Sequence, residues 1–143
     1  MADYLFDTTV FIDYHGGDPE AKHLVERLFE GSISASYCAL TLAELWIGIS
    51  TISEEELRRK EEVKYEALFK LMESAPISDE DAKLAGILLG KFVGKLDEKA
   101  RKEFLKEFLA DAIVGAVASR RGEVVCTRNK KHFEQFSVEA ETY

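Results

Sequence analysis

The sequence predicts an α/β fold built on a mainly parallel sheet. Short apolar or alternating segments, which favour strands, are separated by longer segments with helical spacing. Strands separated by helices form βαβ crossovers, and these crossovers place neighbouring strands parallel. Of the 143 residues, 46% are hydrophobic and only two are proline, which is typical of an ordered globular chain. We therefore expect one domain over residues 1–143.

The first half of the chain is predicted to contain two strands and three helices. These are a strand over 4–6, a helix over 18–31, a strand over 32–39, and helices over 40–50 and 53–74. The chain is expected to turn directly after the first strand, at Asp7. Asp18 is a typical N-cap for the first helix and Thr41 for the second, and Ser53 with Glu56 forms a capping box for the third.

The second half is predicted to contain a strand, two long helices and a final βαβ unit. These are a strand over 75–78, helices over 78–96 and 97–122, a strand over 123–127, a helical turn over 129–136 and an edge strand over 137–142. The second long helix is expected to break near 109–111 and to end at Gly122. In parallel sheets, sites form beyond the carboxyl ends of the strands. Asp7 and segment 127–129 both lie at such positions.

No segment is typical of a membrane span or of a secretory leader. A span needs about 18 to 20 apolar residues in succession, and no such run occurs. The opening "MADYLFDTT" lacks a basic region before an apolar one. Cys38 and Cys126 are expected to be free thiols rather than a disulfide, and the expected location is the cytoplasm.

The basic residues are concentrated in residues 119–132. This segment holds five Lys or Arg and one Glu, which gives it a net charge of +4. Because the whole chain has a net charge of −8, the remaining residues carry −12. An acidic chain is repelled by nucleic acid as a whole, but a local basic segment can still bind phosphate. A solvated surface is the ordinary explanation of such a segment taken alone.

Three acids lie at positions whose neighbours are apolar or small. Asp7 ends the first strand, Glu44 lies within segment 39–49, and Asp111 lies within segment 108–118, which contains no other charge. A buried carboxylate without a counter-charge is costly, so each acid needs a partner. For one acid alone, a cap or an ordinary hydrogen bond is the simpler explanation. For all three together, a shared Mg²⁺ or Mn²⁺ ion fits, and such an ion indicates hydrolysis of phosphate esters.

Three segments occur in a characteristic order: "LFDTTVFID", "TLAELWIG" and "LADAIVGAVASRRGEVVCTRNKKHF". In this order and spacing they resemble the PIN-domain nucleases, in particular the VapC toxins of prokaryotic toxin–antitoxin pairs. The resemblance implies an α/β/α sandwich with a central parallel sheet. It also implies a Mg²⁺- or Mn²⁺-dependent endoribonuclease, commonly a homodimer, with a cognate VapB-type antitoxin as its partner.

The resemblance also implies roles for single residues. Asp7, Glu44 and Asp111 match the acids that bind the metal ion and carry catalysis. Thr9 matches the hydroxyl that supports the first metal ligand, and Thr127 matches the hydroxyl before the last position of the site. In the implied reaction, activated water attacks the phosphorus in line and leaves a 5′-phosphate and a 3′-hydroxyl.

Within this resemblance, part of the basic segment 119–132 is expected to bind RNA. Arg128, Lys130 and Lys131 follow the strand whose end lines the site, so we expect them to bind the RNA phosphates that flank the cut. Arg120 and Arg121 lie about nine residues, or ~13 Å, along the helix from the acid at 111 and are not expected to reach the scissile phosphate.

The chain departs from the family pattern in its last motif. Family members often carry another aspartate in the segment that corresponds to 127–133, where this chain has Asn129 and His132. Asn129 can still bind a water molecule or ligate weakly. With one negative charge fewer, a second metal ion is expected to bind less well than the first, so that a one-metal mechanism fits better than a two-metal one.

Other functions fit less well or remain open. A phosphatase of the haloacid-dehalogenase type would need an aspartate two residues after Asp7, where this chain has Thr9. A receiver-like phosphoacceptor domain would need acids before its phosphorylated aspartate and a later strand-end lysine. Two alternatives remain: a catalytically inactive PIN-like domain that binds RNA or a partner, and a DNA-directed nuclease with the same site.

Overall fold

The computed structural model describes residues 2–143 and confirms the predicted α/β class. Within these residues, seven helices surround a five-stranded sheet. The strands are β1 (Tyr4–Phe6), β2 (Ala35–Cys38), β3 (Glu73–Ala75), β4 (Val124–Cys126) and β5 (Ala140–Glu141). The helices are α1 (Thr8–His15), α2 (Pro19–Phe29), α3 (Ala39–Ser50), α4 (Glu55–Phe69), α5 (Asp79–Val93), α6 (Glu98–Arg121) and α7 (Lys130–Glu134). None of these helices is both long and apolar enough to cross a membrane.

All five strands are parallel and lie in the order β3-β2-β1-β4-β5. In the central strand, Phe6 pairs with Tyr37 of β2 on one side and with Cys126 of β4 on the other. Strands β1 and β4 therefore end at the same level and β2 ends one residue further on, so that the residues that follow the three strands meet at one edge. This register places Asp7 beside Thr127, as the parallel topology predicts.

Successive residues of β1 point to opposite faces of the sheet, and each face has its own apolar core. Leu5 packs in a core with side chains of α5, α6 and α7. Phe6 packs in a second core with side chains of α1 to α4. Because helices cover both faces, the central strands β1 and β4 are apolar on both sides, which is typical of parallel sheets. The layers confirm the α/β/α sandwich.

Helix α1 is not predicted by the sequence, which indicates only a turn after Asp7. Thr8 and Thr9 open the helix, and β-branched residues have weak helix propensity. Val10 and Phe11 follow, and both are fully buried in the core below. Burial of these two side chains stabilises a helix that local propensity alone does not favour.

Two predicted helix caps are wrong. Helix α3 begins two residues before Thr41, whose hydroxyl is buried in the first turn and lies 3.2 Å from the hydroxyl of Thr8. Helix α4 follows Glu54 rather than Ser53, and its N-terminus shows no side-chain cap. The predicted capping box of Ser53 and Glu56 is therefore absent.

The predicted break near 109–111 is also wrong, because α6 is continuous over 24 residues. The Asp97 carboxylate accepts from the N–H of Ala100 at 2.8 Å at its start, and Gly122 ends it in the left-handed conformation with φ 70°. The strand predicted over 75–78 is displaced as well, since β3 ends just before Pro76. Proline has no N–H with which to continue the ladder.

Cys38 and Cys126 are buried free thiols on the two strands that flank β1. Strands separated by a third strand are about 9–10 Å apart, whereas a disulfide needs Cα atoms within about 7 Å. Burial raises the pKa of both thiols, to about 12 for Cys126. Both side chains are therefore held as protonated thiols, which are poor nucleophiles.

Gly115 lies where α6 packs on the chain that leads into β5. A Cβ at this position would lie 2.9 Å from Cγ2 of Val138, closer than side chains approach. We expect Gly115→Ala to lower the free energy of unfolding by about 1–3 kcal/mol through overpacking. Gly86 of α5 is the matched control, because a Cβ there meets open space. Gly86→Ala is expected to raise stability by roughly 0.5–1 kcal/mol, and urea denaturation would measure both. Stabilisation by Gly115→Ala would contradict the packing argument.

Candidate active site

Asp7 is buried, with 5% of its surface exposed, at the carboxyl end of the central strand. Its Oδ2 accepts hydrogen bonds from the hydroxyls of Thr127 at 2.9 Å and Thr9 at 3.2 Å. Burial raises the pKa of Asp7, and these hydroxyls, with the backbone N–H groups of Thr8 and Thr9, oppose that rise. The carboxylate is therefore fixed in direction, but its charge is incompletely compensated.

Glu44 approaches the site from α3, and its surroundings differ from those expected. The apolar side chains Leu45 and Ile49 of α3 are buried in the core, whereas Glu44 is exposed. Its Oε1 accepts a hydrogen bond from the Thr8 hydroxyl at 2.8 Å. The sequence did not identify this contact of Thr8, nor the contact between Thr8 and Thr41. In the sequence, these contacts are indicated only by the presence of Thr8 and Thr41 next to apolar residues.

Asp111 approaches from α6 and is paired with His132 of α7. Its Oδ2 lies 2.9 Å from His132 Nδ1, and the imidazole packs edge-on against Phe108 with 5.0 Å between the ring centroids. Burial raises the pKa of Asp111, the hydrogen bond from His132 lowers it, and the negative charges of Asp7 and Glu44 raise it. The negative charges of Asp7 and Glu44 thus reach Asp111 across this edge of the sheet.

The oxygen atoms of this site are the kind of ligand that Mg²⁺ or Mn²⁺ prefers. One oxygen of Glu44 accepts from Thr8, and one oxygen of Asp111 lies against His132. Within residues 2–143, no group of three or more Asp, Glu, His or Cys side chains is positioned to hold a metal ion. Burial and the charges of Asp7 and Glu44 raise the pKa of Asp111, and a cation at this edge would favour its ionised form. Carboxylate oxygens from three elements at one edge of the sheet fit such an ion chemically.

The loop after β4 closes the site through backbone contacts. The N–H of Arg128 donates to Thr9 Oγ1 at 3.1 Å, and the N–H of Asn129 donates to Thr127 Oγ1 at 2.9 Å. Asn129 therefore approaches the site through its main chain, whereas the sequence suggested a role for its side chain. Both N–H groups orient hydroxyls that in turn bond to Asp7.

The three basic residues expected to bind phosphate have unlike surroundings. Lys130 and Lys131 are exposed at the start of α7 and line a depression of about 470 Å³ beside His132. The guanidinium of Arg128 is instead bonded to three carboxylates of segment 13–20. Arg128 is therefore not the free cation that the sequence suggested.

Arg120 and Arg121 also have acidic partners, at the far end of α6. Arg120 pairs with Asp81 at 2.6 Å, and Arg121 pairs with Glu123 at 2.6 Å. Both side chains lie away from the carboxyl edge of the sheet, in agreement with the expectation that neither reaches the scissile phosphate.

The chain matches one protein-family model, described as the PIN domain, over residues 4–138. A DNA-bound VapBC from Salmonella typhimurium has a similar structure, with a TM-score of 0.76, 20% identity and coverage of 99% of this chain and 98% of the other. FitAcB from Neisseria gonorrhoeae is similar with a TM-score of 0.73 and 19% identity, over 96% of this chain and 95% of the other. A toxin–antitoxin complex from Klebsiella pneumoniae is similar with a TM-score of 0.64 and 24% identity, over 91% of this chain and 89% of the other. Among curated protein sequences, none matches the chain significantly. At these identities the structural similarities establish the fold.

Proposed function

The chain belongs to the PIN-domain family, and from this premise we propose that it is a metal-dependent endoribonuclease, the toxin of a VapBC-type toxin–antitoxin pair. The observation that carries the proposal is the group of three acids at one edge of the sheet. Asp7 is buried and oriented by two hydroxyls, and burial, together with the charges of Asp7 and Glu44, raises the pKa of Asp111. Such a concentration of like charge is costly unless the site serves a cation.

The proposed reaction is hydrolysis of an RNA phosphodiester. When bound, Mg²⁺ or Mn²⁺ supplies neutralisation of phosphoryl charge and activation of water. The cation would be held by Asp7, Glu44 and Asp111. The Asp7 carboxylate is kept in place by hydrogen bonds from Thr9 and Thr127. The oxygen of water bonds to phosphorus, the bond from phosphorus to the 3′ oxygen breaks, and a proton passes to that oxygen. The products carry a 5′-phosphate and a 3′-hydroxyl.

The exposed ammonium groups beside the site are the proposed RNA contacts. Lys130 and Lys131 lie on the same short helix as His132, which contacts Asp111. Phosphates that flank the cut can therefore reach them while the scissile group lies near the acids. Carboxylates do not distinguish ribose from deoxyribose, so the choice of RNA rests on the resemblance to VapC toxins.

An apolar groove between α3 and α4 is the proposed antitoxin contact. Tyr37, Trp46 and Phe69 line a cavity of about 690 Å³, with Tyr37 and Phe69 ring centroids 4.5 Å apart. Glu66 and Lys70 lie at its border. Grooves of this kind bind the apolar face of a helix. The similar structure from Klebsiella pneumoniae is a toxin–antitoxin complex, which supports an antitoxin as the occupant. A homodimer is proposed as well, on the resemblance alone.

The function is tested by incubating purified protein with total cellular RNA in Mg²⁺, Mn²⁺ or EDTA. We expect discrete fragments with 5′-phosphates in either metal and none in EDTA. Asp111→Asn should be inactive, and Glu98→Gln is its matched control, because Glu98 is exposed about 20 Å along the same helix. Binding of Mn²⁺ without cleavage would favour an inactive PIN-like domain that binds RNA or a partner. Equal cleavage of single-stranded DNA would favour a DNA-directed nuclease.

His132 is expected to orient the Asp111 carboxylate through its hydrogen bond. His132→Leu should weaken Mn²⁺ binding by roughly tenfold and lower the cleavage rate similarly, as loss of an orienting partner does at other metal sites. His132→Asn keeps an N–H donor and should retain more of both properties. Calorimetric titration with Mn²⁺ and initial cleavage rates would measure the two effects. Equal losses in the two variants would contradict orientation by the hydrogen bond.

A further inference from the structure

We propose that Arg128 is a positioning residue for the active-site carboxylate of Asp7, and that it acts with Tyr143 rather than by contacting RNA. The inference deepens the proposed nuclease function and rests on it. Three sets of contacts carry it: those of the guanidinium, those of Tyr143, and those of the main chain at Arg128.

Each guanidinium nitrogen of Arg128 has a carboxylate partner. Nε donates to Asp13 Oδ2 at 2.9 Å, Nη2 to Asp18 Oδ2 at 2.6 Å and Nη1 to Glu20 Oε2 at 3.1 Å. Three negative charges around one positive charge leave this cluster at a net −2, which repels a phosphate. The planar fork of arginine suits such multiple pairing, whereas the point charge of lysine does not.

Tyr143 completes the cluster from the other side. Its ring centroid lies 4.3 Å from the Arg128 guanidinium carbon, and its carbonyl accepts from Arg128 Nη1 at 3.0 Å. Its hydroxyl donates to Asp13 Oδ2 at 2.7 Å. The hydrogen bonds from Tyr143 and Arg128 hold the pKa of Asp13 below its usual value, so that its charge persists. Asp18 is itself the N-cap of α2, where it accepts from the N–H of Ala21 at 2.9 Å. The guanidinium is thus anchored to α1, α2 and the segment after β5.

The main chain of the same residue connects this anchor to the site. The N–H of Arg128 donates to Thr9 Oγ1, and Thr9 donates to Asp7 Oδ2. The preceding residue, Thr127, donates to the same oxygen, and the N–H of Asn129 fixes the Thr127 hydroxyl. Arg128 therefore lies between two hydroxyl relays that end on one carboxylate oxygen. A release of its side chain frees the loop, and displacement by about 1 Å at a catalytic group costs up to about 10²-fold in rate.

A phosphate contact and a positioning role predict different kinetics. A phosphate contact depends on charge, acts on the KM for RNA and contributes to the salt dependence of binding. A positioning role depends on the fork geometry and acts on kcat and on metal affinity, with little change in KM or in the salt slope. A purely structural role would lower the melting temperature without this division between kcat and KM.

The test compares Arg128→Lys, Arg128→Gln and Tyr143→Phe with Lys131→Gln, at a temperature below the unfolding transition of every variant. Both Arg128 variants are expected to lower kcat by roughly 10- to 100-fold and to weaken Mn²⁺ binding, with KM changed less than about twofold. Tyr143→Phe keeps the ring but loses the bond to Asp13, and should lower kcat several-fold. Lys131→Gln should instead raise KM and flatten the salt slope.

Two results would overturn the proposal. In the first, Arg128→Lys keeps the wild-type kcat, while Arg128→Gln has a raised KM and a weaker salt dependence of RNA binding. This result would identify a phosphate contact. The other is unchanged Mn²⁺ affinity and kcat in Tyr143→Phe and Arg128→Lys, since Tyr143→Phe tests the same network even where Arg128→Gln does not fold. Calorimetric Mn²⁺ affinity reports on positioning even in a protein that does not cleave RNA. Failure of the proposed function is therefore distinguishable from failure of this inference.

Discussion

Asp7→Asn is expected to lower the kcat of RNA cleavage by about 10³-fold or more, while the protein remains folded. The amide keeps the shape of the carboxylate and can still accept from Thr9 and Thr127, so the local structure should persist. It lacks the negative charge on which the proposed cation site depends. A loss of 10³-fold corresponds to about 4 kcal/mol of transition-state stabilisation.

The same substitution is expected to leave stability unchanged or raised at pH 7. Because burial raises the pKa of Asp7 above 3.8, the folded state favours the protonated acid. The wild type therefore loses stability as the pH rises from the usual pKa of the carboxyl group to its folded-state pKa, and the neutral amide avoids this loss. At a pH below 3.8 both states are protonated, and the advantage of the variant should vanish.

Cleavage of labelled RNA at pH 7 and thermal melting at pH 3 and pH 7 would measure the two effects. Asp111→Asn offers a second inactive variant, and Glu98→Gln an active acid-to-amide control. Cleavage that survives in Asp7→Asn would place the chemistry elsewhere, or in a contaminating nuclease. A melting temperature much below that of the wild type at pH 7 would show that Asp7 is required for the fold rather than for function.

Arg121→Met is expected to cause the largest loss of stability, about 3–5 kcal/mol. Arg121 Nε donates to Glu123 Oε1 at 2.6 Å, and the Glu123 side chain is completely buried. The other oxygen of Glu123 accepts from Ser36 Oγ at 2.6 Å and from the N–H of Ala2 at 2.8 Å. Removal of the guanidinium would leave a buried carboxylate with hydrogen bonds but without its ionic partner.

The double variant Arg121→Met, Glu123→Gln separates the charge from the packing. It should be more stable than Arg121→Met, because the buried charge is gone. Urea denaturation would give the free energies of unfolding for the cycle. Additive effects of the two substitutions would contradict an ion pair. The pair lies at the amino end of the sheet, so cleavage by the folded protein should be little affected at a temperature where the variant remains folded.

The sequence by itself determined the fold class and the placement of the strand-end acid. Hydrophobic periodicity reports how many faces of a segment are buried, which is a local property. That is sufficient to predict strands alternating with helices, a parallel sheet, and Asp7 beside Thr127 at its carboxyl edge. It also indicated Asp111 as a charge within an apolar helix face. It did not indicate α1, because the stabilisation of that helix comes from Val10 and Phe11 in the core and not from its own propensities.

Only the tertiary structure decided which charges are paired and which are free. Glu44 lies in an apolar segment and yet is exposed, with a carboxylate that reaches the buried Thr8 across the fold. Arg128 lies in a basic segment and yet binds acids, one of which, Asp13, is 115 positions away in the chain. Coulomb interactions depend on distance in space, and their local sign is set by residues that the fold brings together from remote parts of the sequence. A count of neighbouring charges along the chain therefore could not separate a phosphate contact from an anchored side chain.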